Sequence, residues 1–192
     1  MSTESPKKRV VLAVTGASGL IYAGILAREL GSREDVELFA IISDAAREVM
    51  RHEDGLDEAF LRSTARALYS EKDIAAPPAS GSWRHQGMIV CPCSMASVAA
   101  IAQGLGNNLI HRAADVTLKE GMKLVLVPRE TPLSTIHLRN LLAAREAGAT
   151  ILPACPGFYH RPTTIQDMAA HLAGRILDQL DIPNTLFQRW GE

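Results

Sequence analysis

Val10-Val11-Leu12-Ala13-Val14 runs straight into Thr15-Gly16-Ala17-Ser18-Gly19, and behind that turn Leu20, Ile21, Gly24, Ile25 and Leu26 recur on one helical face. Five consecutive apolar residues read as a strand buried on both sides, and the small residues after it read as a tight turn into a helix. Such a turn receives the unpaired N–H groups and the positive end of the helix dipole, which suits an anionic group. The chain therefore opens with an α/β unit and a cradle for a phosphate or a flavin.

Only Gly16 and Gly19 stand in this loop, whereas the dinucleotide fingerprint has three spaced glycines and a carboxylate closing the second strand. Residues 36–42 read as that second strand and end in Ser43 before Asp44. The loop favours a mononucleotide such as FMN, Asp44 keeps NAD open, and a turn whose glycines serve packing alone is also compatible.

Further along, residues 88–91, 124–127 and 149–152 read as buried strands, and residues 45–51, 56–69, 95–103, 109–120, 135–147 and 165–180 as helices. Thr163 and Gln166 have the spacing of a capping box for the last helix, and Gly148 marks the end of the helix before it. Residues 75–82, with Pro77 and Pro78, read as a loop. Alternating strands and helices imply a Rossmann-like, doubly wound parallel sheet in a single domain over residues 10–192, preceded by a flexible segment, residues 1–9. In such sheets ligands sit beyond the carboxyl ends of the strands. There the chain places Gly16-Ala17-Ser18, Ser43, Pro92-Cys93-Ser94, Pro128-Arg129-Glu130 and the residues from Pro153 to Tyr159.

A chain of 192 residues buries roughly 70% of its unfolded surface and needs neither disulfides nor metal to hold its core. Twenty basic residues balance twenty-one acidic ones, and the basic block is limited to Lys7-Lys8-Arg9. Nucleic acid is not an expected partner. No run of apolar residues is long enough to span a bilayer and no leader pattern opens the chain, so a cytoplasmic protein is expected. Cys91 and Cys93 flank Pro92, too close for an unstrained mutual disulfide and in a spacing unlike metal ligands. With Cys155 they read as reduced thiols buried at strand ends.

Taken in order, six segments resemble the flavin prenyltransferase (UbiX-like) family. They are Thr15-Gly16-Ala17-Ser18-Gly19, Cys91-Pro92-Cys93-Ser94, Gly106-Asn107-Asn108-Leu109-Ile110, residues 112–120 from Arg112 through Lys119-Glu120, Val127-Pro128-Arg129-Glu130-Thr131-Pro132-Leu133, and Pro156-Gly157-Phe158-Tyr159-His160-Arg161-Pro162. The resemblance spans residues 10–191. It implies that reduced FMN is alkylated by a dimethylallyl phosphate at N5 and closes a fourth ring through C6, without metal. The product, prenylated FMN, would serve a UbiD-type decarboxylase. The family also implies a homo-oligomer, a dodecamer, with its site at subunit interfaces.

By the same resemblance Gly16, Ala17, Ser18, Ser43, Ser94, Met95, Ala96, Ser97 and Arg129 would hold FMN. Arg112, Lys119, Arg129, Tyr159 and Arg175 would bind the donor phosphate, stabilising charge as the C–O bond breaks. Ser18, Glu53, Lys119, Glu130 and Trp190 would act in catalysis. The two glutamates would stabilise cationic character or relay a proton with Ser18, and Trp190 would offer a π face to an allylic cation. These groups are expected to gather at the carboxyl rim of the sheet.

The residues also admit blander roles: Arg112 and Lys119 as a solvated helix stripe, Glu130 as an ion-pair partner of Arg129, Glu53 on an exposed turn, Ser18 as a helix cap, Arg175 snorkelling from its helix. His111, His137 and His160 carry no partner acid and are given no catalytic role. The chain departs from the family in having Gly121-Met122 after Lys119-Glu120 where two arginines are common. Two rival functions are set beside this one: a flavin-containing cysteine decarboxylase, whose Asn-containing proline motif and His after an early strand this sequence lacks, Val127 being followed by Pro128-Arg129-Glu130-Thr131-Pro132, and a non-catalytic FMN-binding regulatory subunit.

Overall fold

The computed structural model describes residues 7–191. Seven helices surround one parallel sheet among these residues. In chain order the elements are β1 (Lys8–Val14), α1 (Leu20–Gly31), β2 (Val36–Ile42), α2 (Asp44–Val49), α3 (Glu58–Thr64), β3 (Ala67–Ser70), β4 (Gly87–Cys93), α4 (Met95–Ala102), α5 (Leu109–Lys119), β5 (Lys123–Pro128), α6 (Thr135–Glu146), β6 (Thr150–Ile151) and α7 (Ile165–Gln179). The sheet has six strands in the order β3-β2-β1-β4-β5-β6, all parallel. The order reverses between β1 and β4, so the crevice at their carboxyl ends is the switch point where this architecture binds ligands.

Strand alternation sorts the core into two layers. Val10, Leu12 and Val14 of β1 face α1 and α7, meeting Leu20, Leu26, Leu30, Leu172 and Ile176. Val11 and Ala13 face the other way, toward Met95, Val98, Leu109, Ile110 and Ala144 of α4, α5 and α6. A strand apolar on both faces thus carries helices on both sides.

Four expectations are corrected. Of the segment expected to be flexible, residues 1–6 lie outside the described residues, and Lys8 and Arg9 open β1 opposite Val36 and Glu37. The helix expected over 56–69 is split: α3 stops at Thr64, Ala65 turns extended, and Ala67–Ser70 pairs along Phe39–Ile42 as edge strand β3. Pairing with β2 decides this, because Ala-Leu-Tyr-Ser has no strand signature of its own. The capping box lies one residue later than expected, with Thr164 Oγ1 accepting from Asp167 N and Asp167 Oδ2 accepting from Thr164 N. Finally, Cys91 and Cys93 are buried free thiols, but Cys155 is exposed, beyond the last strand. Burial pushes the Cys93 thiol up to about 12 and raises Cys91 further, so both pack as neutral side chains.

Gly121 explains the departure noted after Lys119-Glu120. It takes φ 66° after α5, donating to Leu118 O while Met122 N donates to Thr117 O. This left-handed stop favours glycine and tucks Met122 into the core. Gly148 ends α6 in the same way.

Candidate active site

The loops after β1, β4 and β5 are bonded to one another at the switch point. Thr15 Oγ1 donates to Pro92 O at 2.8 Å and accepts from Ser94 N at 2.8 Å, and Thr15 N also donates to Pro92 O. Arg129 N donates to Cys93 O at 3.3 Å, and Arg129 Nε donates to Ser18 O at 3.2 Å. Sequence reading passed over Thr15 except as part of a motif. Its signal, a buried hydroxyl at a strand end, acquires meaning only once β4 is known to be the neighbour.

Glu53 occupies the start of α1. The N-cap there is Gly19, at φ 106°, which brings no capping side chain. Glu53 Oε2 accepts instead from Gly19 N at 2.8 Å and Leu20 N at 3.2 Å. Burial pushes this carboxyl up, but the Ser18 hydroxyl, the two N–H groups and the positive charge of Arg129 outweigh it and hold it below the ordinary 4.5. The open anion cradle expected at this helix is therefore filled by the protein's own carboxylate, and Ser18, which does not cap the helix, helps hold that carboxylate ionised. Ser18, Glu53 and Arg129 form one charged triad at the rim.

This carboxylate makes acid sensitivity predictable. With the folded value depressed, the stabilisation is complete above about pH 4.5 and is lost as the pH falls through the lower folded value. Glu53→Gln is expected to lose about 1–2 kcal/mol at neutral pH, the worth of a partly buried charge at a helix start. It should also flatten the acid limb of a plot of unfolding free energy against pH. An acid limb identical in the variant would refute the assignment.

The positions matched to FMN lie on the same rim. Gly16 packs so tightly that a Cβ would stand 2.5 Å from Ala45 Cβ, and Ala17 is buried. Ser43 Oγ caps α2 by accepting from Ala46 N at 3.0 Å. Ser94 Oγ caps α4, accepting from Ser97 N at 3.2 Å and donating to Ser97 Oγ at 3.1 Å. Met95 and Ser97 are buried whereas Ala96 is exposed, so the first turn of α4 presents backbone N–H groups and a small surface to the crevice. Glu130 is exposed and its carboxylate accepts from Thr131 N at 3.0 Å.

A second cluster forms where the 156–162 loop and the C-terminal tail pack on α7. Tyr159 Oη lies 3.0 Å from His171 Nε2, and Gly157 N donates to His171 Nδ1 at 3.3 Å. Trp190, 81% exposed, sets its ring edge-on to Tyr159 with centroids 5.4 Å apart. The tail is held by Arg189, whose guanidinium donates to both carboxylate oxygens of Asp178. Arg175, exposed, stands 3.9 Å from the same carboxylate. His171 was missed because a histidine on an otherwise apolar helix face, beside Ala169, Leu172 and Ile176, reads as core.

The two α5 positions lie at opposite ends of that helix, whose first residue, Leu109, donates through its N–H to Glu71 O just beyond the carboxyl end of β3. Arg112, in the first turn, pairs with Asp115 at 2.8 Å. Lys119 ends the helix, pairs with Glu120 at 2.5 Å and stands beside Gly81 in the segment leading into β4. Because β5 begins at Lys123, Lys119 sits at the amino edge of the sheet. Ser18 and Arg129 follow carboxyl ends. A single chain thus does not gather all the expected groups on one rim, since the length of α5 separates Lys119 from it. Among the described residues no helix is long and apolar enough to cross a membrane.

Comparison with known proteins places this site in a family. The Flavoprotein family model matches residues 1–180. The flavin prenyltransferase UbiX of Methanothermobacter thermautotrophicus is 45% identical over 183 residues, covering 95% of each chain. The structure of AnUbiX in complex with FMN and dimethylallyl pyrophosphate superposes with a TM-score of 0.90 at 42% identity, over 97% of this chain and 98% of that one. The crystal structure of a dodecameric FMN-dependent UbiX-like decarboxylase from Escherichia coli O157:H7 superposes with a TM-score of 0.92 at 40% identity, over 96% of this chain and 100% of that one. Fold, rim and sequence agree: the chain belongs to the Flavoprotein family and, within it, to the flavin prenyltransferases of the UbiX type.

Proposed function

We propose that this protein transfers a dimethylallyl group from dimethylallyl phosphate to reduced FMN, bonding it at N5 and C6 to give prenylated FMN for a UbiD-type decarboxylase. The observation that carries the reading is the triad of Ser18, Glu53 and Arg129 at the switch point, in a chain with this kinship. Reduced FMN supplies the electron-rich ring that accepts the isoprenoid. The donor set suits it: Arg129 is fixed by its Nε bond to Ser18 O, and the start of α4, capped by Ser94, offers N–H donors for phosphate and ring edge.

Chemistry at the ring needs a proton taken and held. Glu53, whose ionised form the Ser18 hydroxyl favours, is placed to take one through that hydroxyl while Arg129 balances its charge. Lys119, Arg112, Tyr159 and Arg175 are assigned to the donor phosphate, where cations and a phenol hydroxyl stabilise the charge that grows on departure.

Because Lys119 lies at the far edge of its own chain, the site is completed by a neighbouring copy. Helix α6 is built for such a contact: Ile136, Leu138 and Leu142 are exposed, as are Leu133 before it and Leu105 near its partner α4, and Ala144 is its one fully buried side chain among the described residues. A homo-oligomer follows, and the dodecamer of the E. coli relative is the size we assign. The free thiols fit a reducing cytoplasm.

Anaerobic incubation with reduced FMN and either dimethylallyl monophosphate or diphosphate, read by flavin spectrum and mass, tests the reading. The expected result is a flavin heavier by one five-carbon unit. Flavin returned unchanged with both donors would overturn it. The purified protein given an aromatic acid alone should release no carbon dioxide.

A further inference from the structure

Tyr159 is held by a histidine whose tautomer the backbone dictates. Gly157 N is an obligate donor, so the His171 Nδ1 it reaches at 3.3 Å carries a lone pair. The neutral ring then has its proton on Nε2, and that proton points at Tyr159 Oη, 3.0 Å away. With its oxygen accepting from His171, the Tyr159 hydroxyl has its own proton free to give elsewhere. His171 is 6% exposed, pressed by Phe187 at 4.8 Å and stacked on His160 at 4.7 Å and 9°. Burial, with the stacked His160 ring and the Arg175 guanidinium nearby, lowers its pKa and favours this neutral form.

We infer that His171 is a positioning residue that makes the Tyr159 hydroxyl a committed hydrogen-bond donor to the phosphate of the prenyl donor. This rests on the functional reading above and extends it to a residue that the family motifs did not mark. Tyrosine hydroxyls ordinarily rotate between donating and accepting, and an anionic oxygen profits only from the first. A histidine locked from behind by Gly157 N removes the second option. The same bonds hold the 156–160 turn to α7, one helical turn before Arg175, so Tyr159 and that guanidinium are presented from one support.

Three measurements test this. Long-range proton–nitrogen NMR of the intact protein should show His171 protonated at Nε2; a proton on Nδ1 would overturn the inference. Calorimetric titration of FMN-loaded protein with dimethylallyl monophosphate should show affinity roughly 5- to 10-fold weaker in His171→Phe, which keeps a ring against Phe187, with FMN binding intact. His171→Gln, which retains an N–H donor for Tyr159, should recover most of the loss. The third is coupling: in a Tyr159→Phe background, His171→Phe should cost no further affinity. An equal loss with and without the hydroxyl, or no loss at all, overturns the inference alone. Wild-type protein that binds no dimethylallyl phosphate overturns the functional reading and this inference with it.

Discussion

Lys119→Ala is expected to leave FMN bound and to cut prenyl transfer about 10²- to 10³-fold in kcat/KM for the donor, the usual consequence of removing one charge from a group that becomes anionic in the transition state. The side chain is half-exposed and paired with Glu120, so its loss leaves no core cavity and the fold should not register it. The effect is expected to fall on the donor because Lys119 is far from Ser18 and Arg129 in its own chain and, on the proposed assembly, would reach a site only in a neighbour. Mixed oligomers offer a sharper form of the experiment. Lys119→Ala chains co-assembled with Ser18→Ala chains should recover part of the activity, since some interfaces then combine an intact Ser18 with an intact Lys119. Parallel loss of flavin and transfer, or full activity in an isolated monomer, would refute the division of labour.

Gly24→Ala is the second large effect expected, and it runs against helix propensity. An alanine inside a helix gains about 0.8–1.0 kcal/mol over glycine. Here, however, the new Cβ would stand 2.0 Å from Gly55 O, a backbone atom, while Gly55 itself approaches Ile21 Cα so closely that its own Cβ would stand 2.9 Å away. Helix α1 and the 53–56 turn therefore touch backbone to backbone. Forcing them apart should cost about 1–3 kcal/mol net, as overpacking does elsewhere. The turn that yields carries Glu53 two residues before Gly55, so transfer should fall with stability. Urea unfolding and the prenylation assay on the same sample decide it; a stabilised variant with full activity would show that the contact is slack.

Much of this was legible in the sequence because it is local. Val10–Val14 alternates between two apolar layers, and that pattern alone implies helices on both faces and a crevice after the strand. What the chain hides is set by partners distant in sequence. Ala67–Ser70 is a strand because β2 lies beside it. Glu53 reads as part of an exposed turn among Arg51, His52 and Asp54, and only the fold brings it to a helix whose cap, Gly19, has no side chain. Lys119 matched its family motif, yet no spacing rule reveals that a helix ending at β5 carries it to the opposite edge. His171 was silent for the reverse reason, since its neighbours on α7 are the apolar residues that ordinarily make a histidine unremarkable.

The threonine clamp at the switch point has a consequence for how flavin enters. One hydroxyl ties Pro92 O and Ser94 N to the end of β1, so the two walls of the crevice are joined by hydrogen bonds as soon as the sheet has formed. On the proposed function, a flavin bound there would meet a slot whose ordering cost was met when the chain folded. Thr15→Val, which keeps the shape and removes the tie, is then expected to weaken FMN binding in a calorimetric titration, and unchanged affinity would show that the tie does not shape the slot.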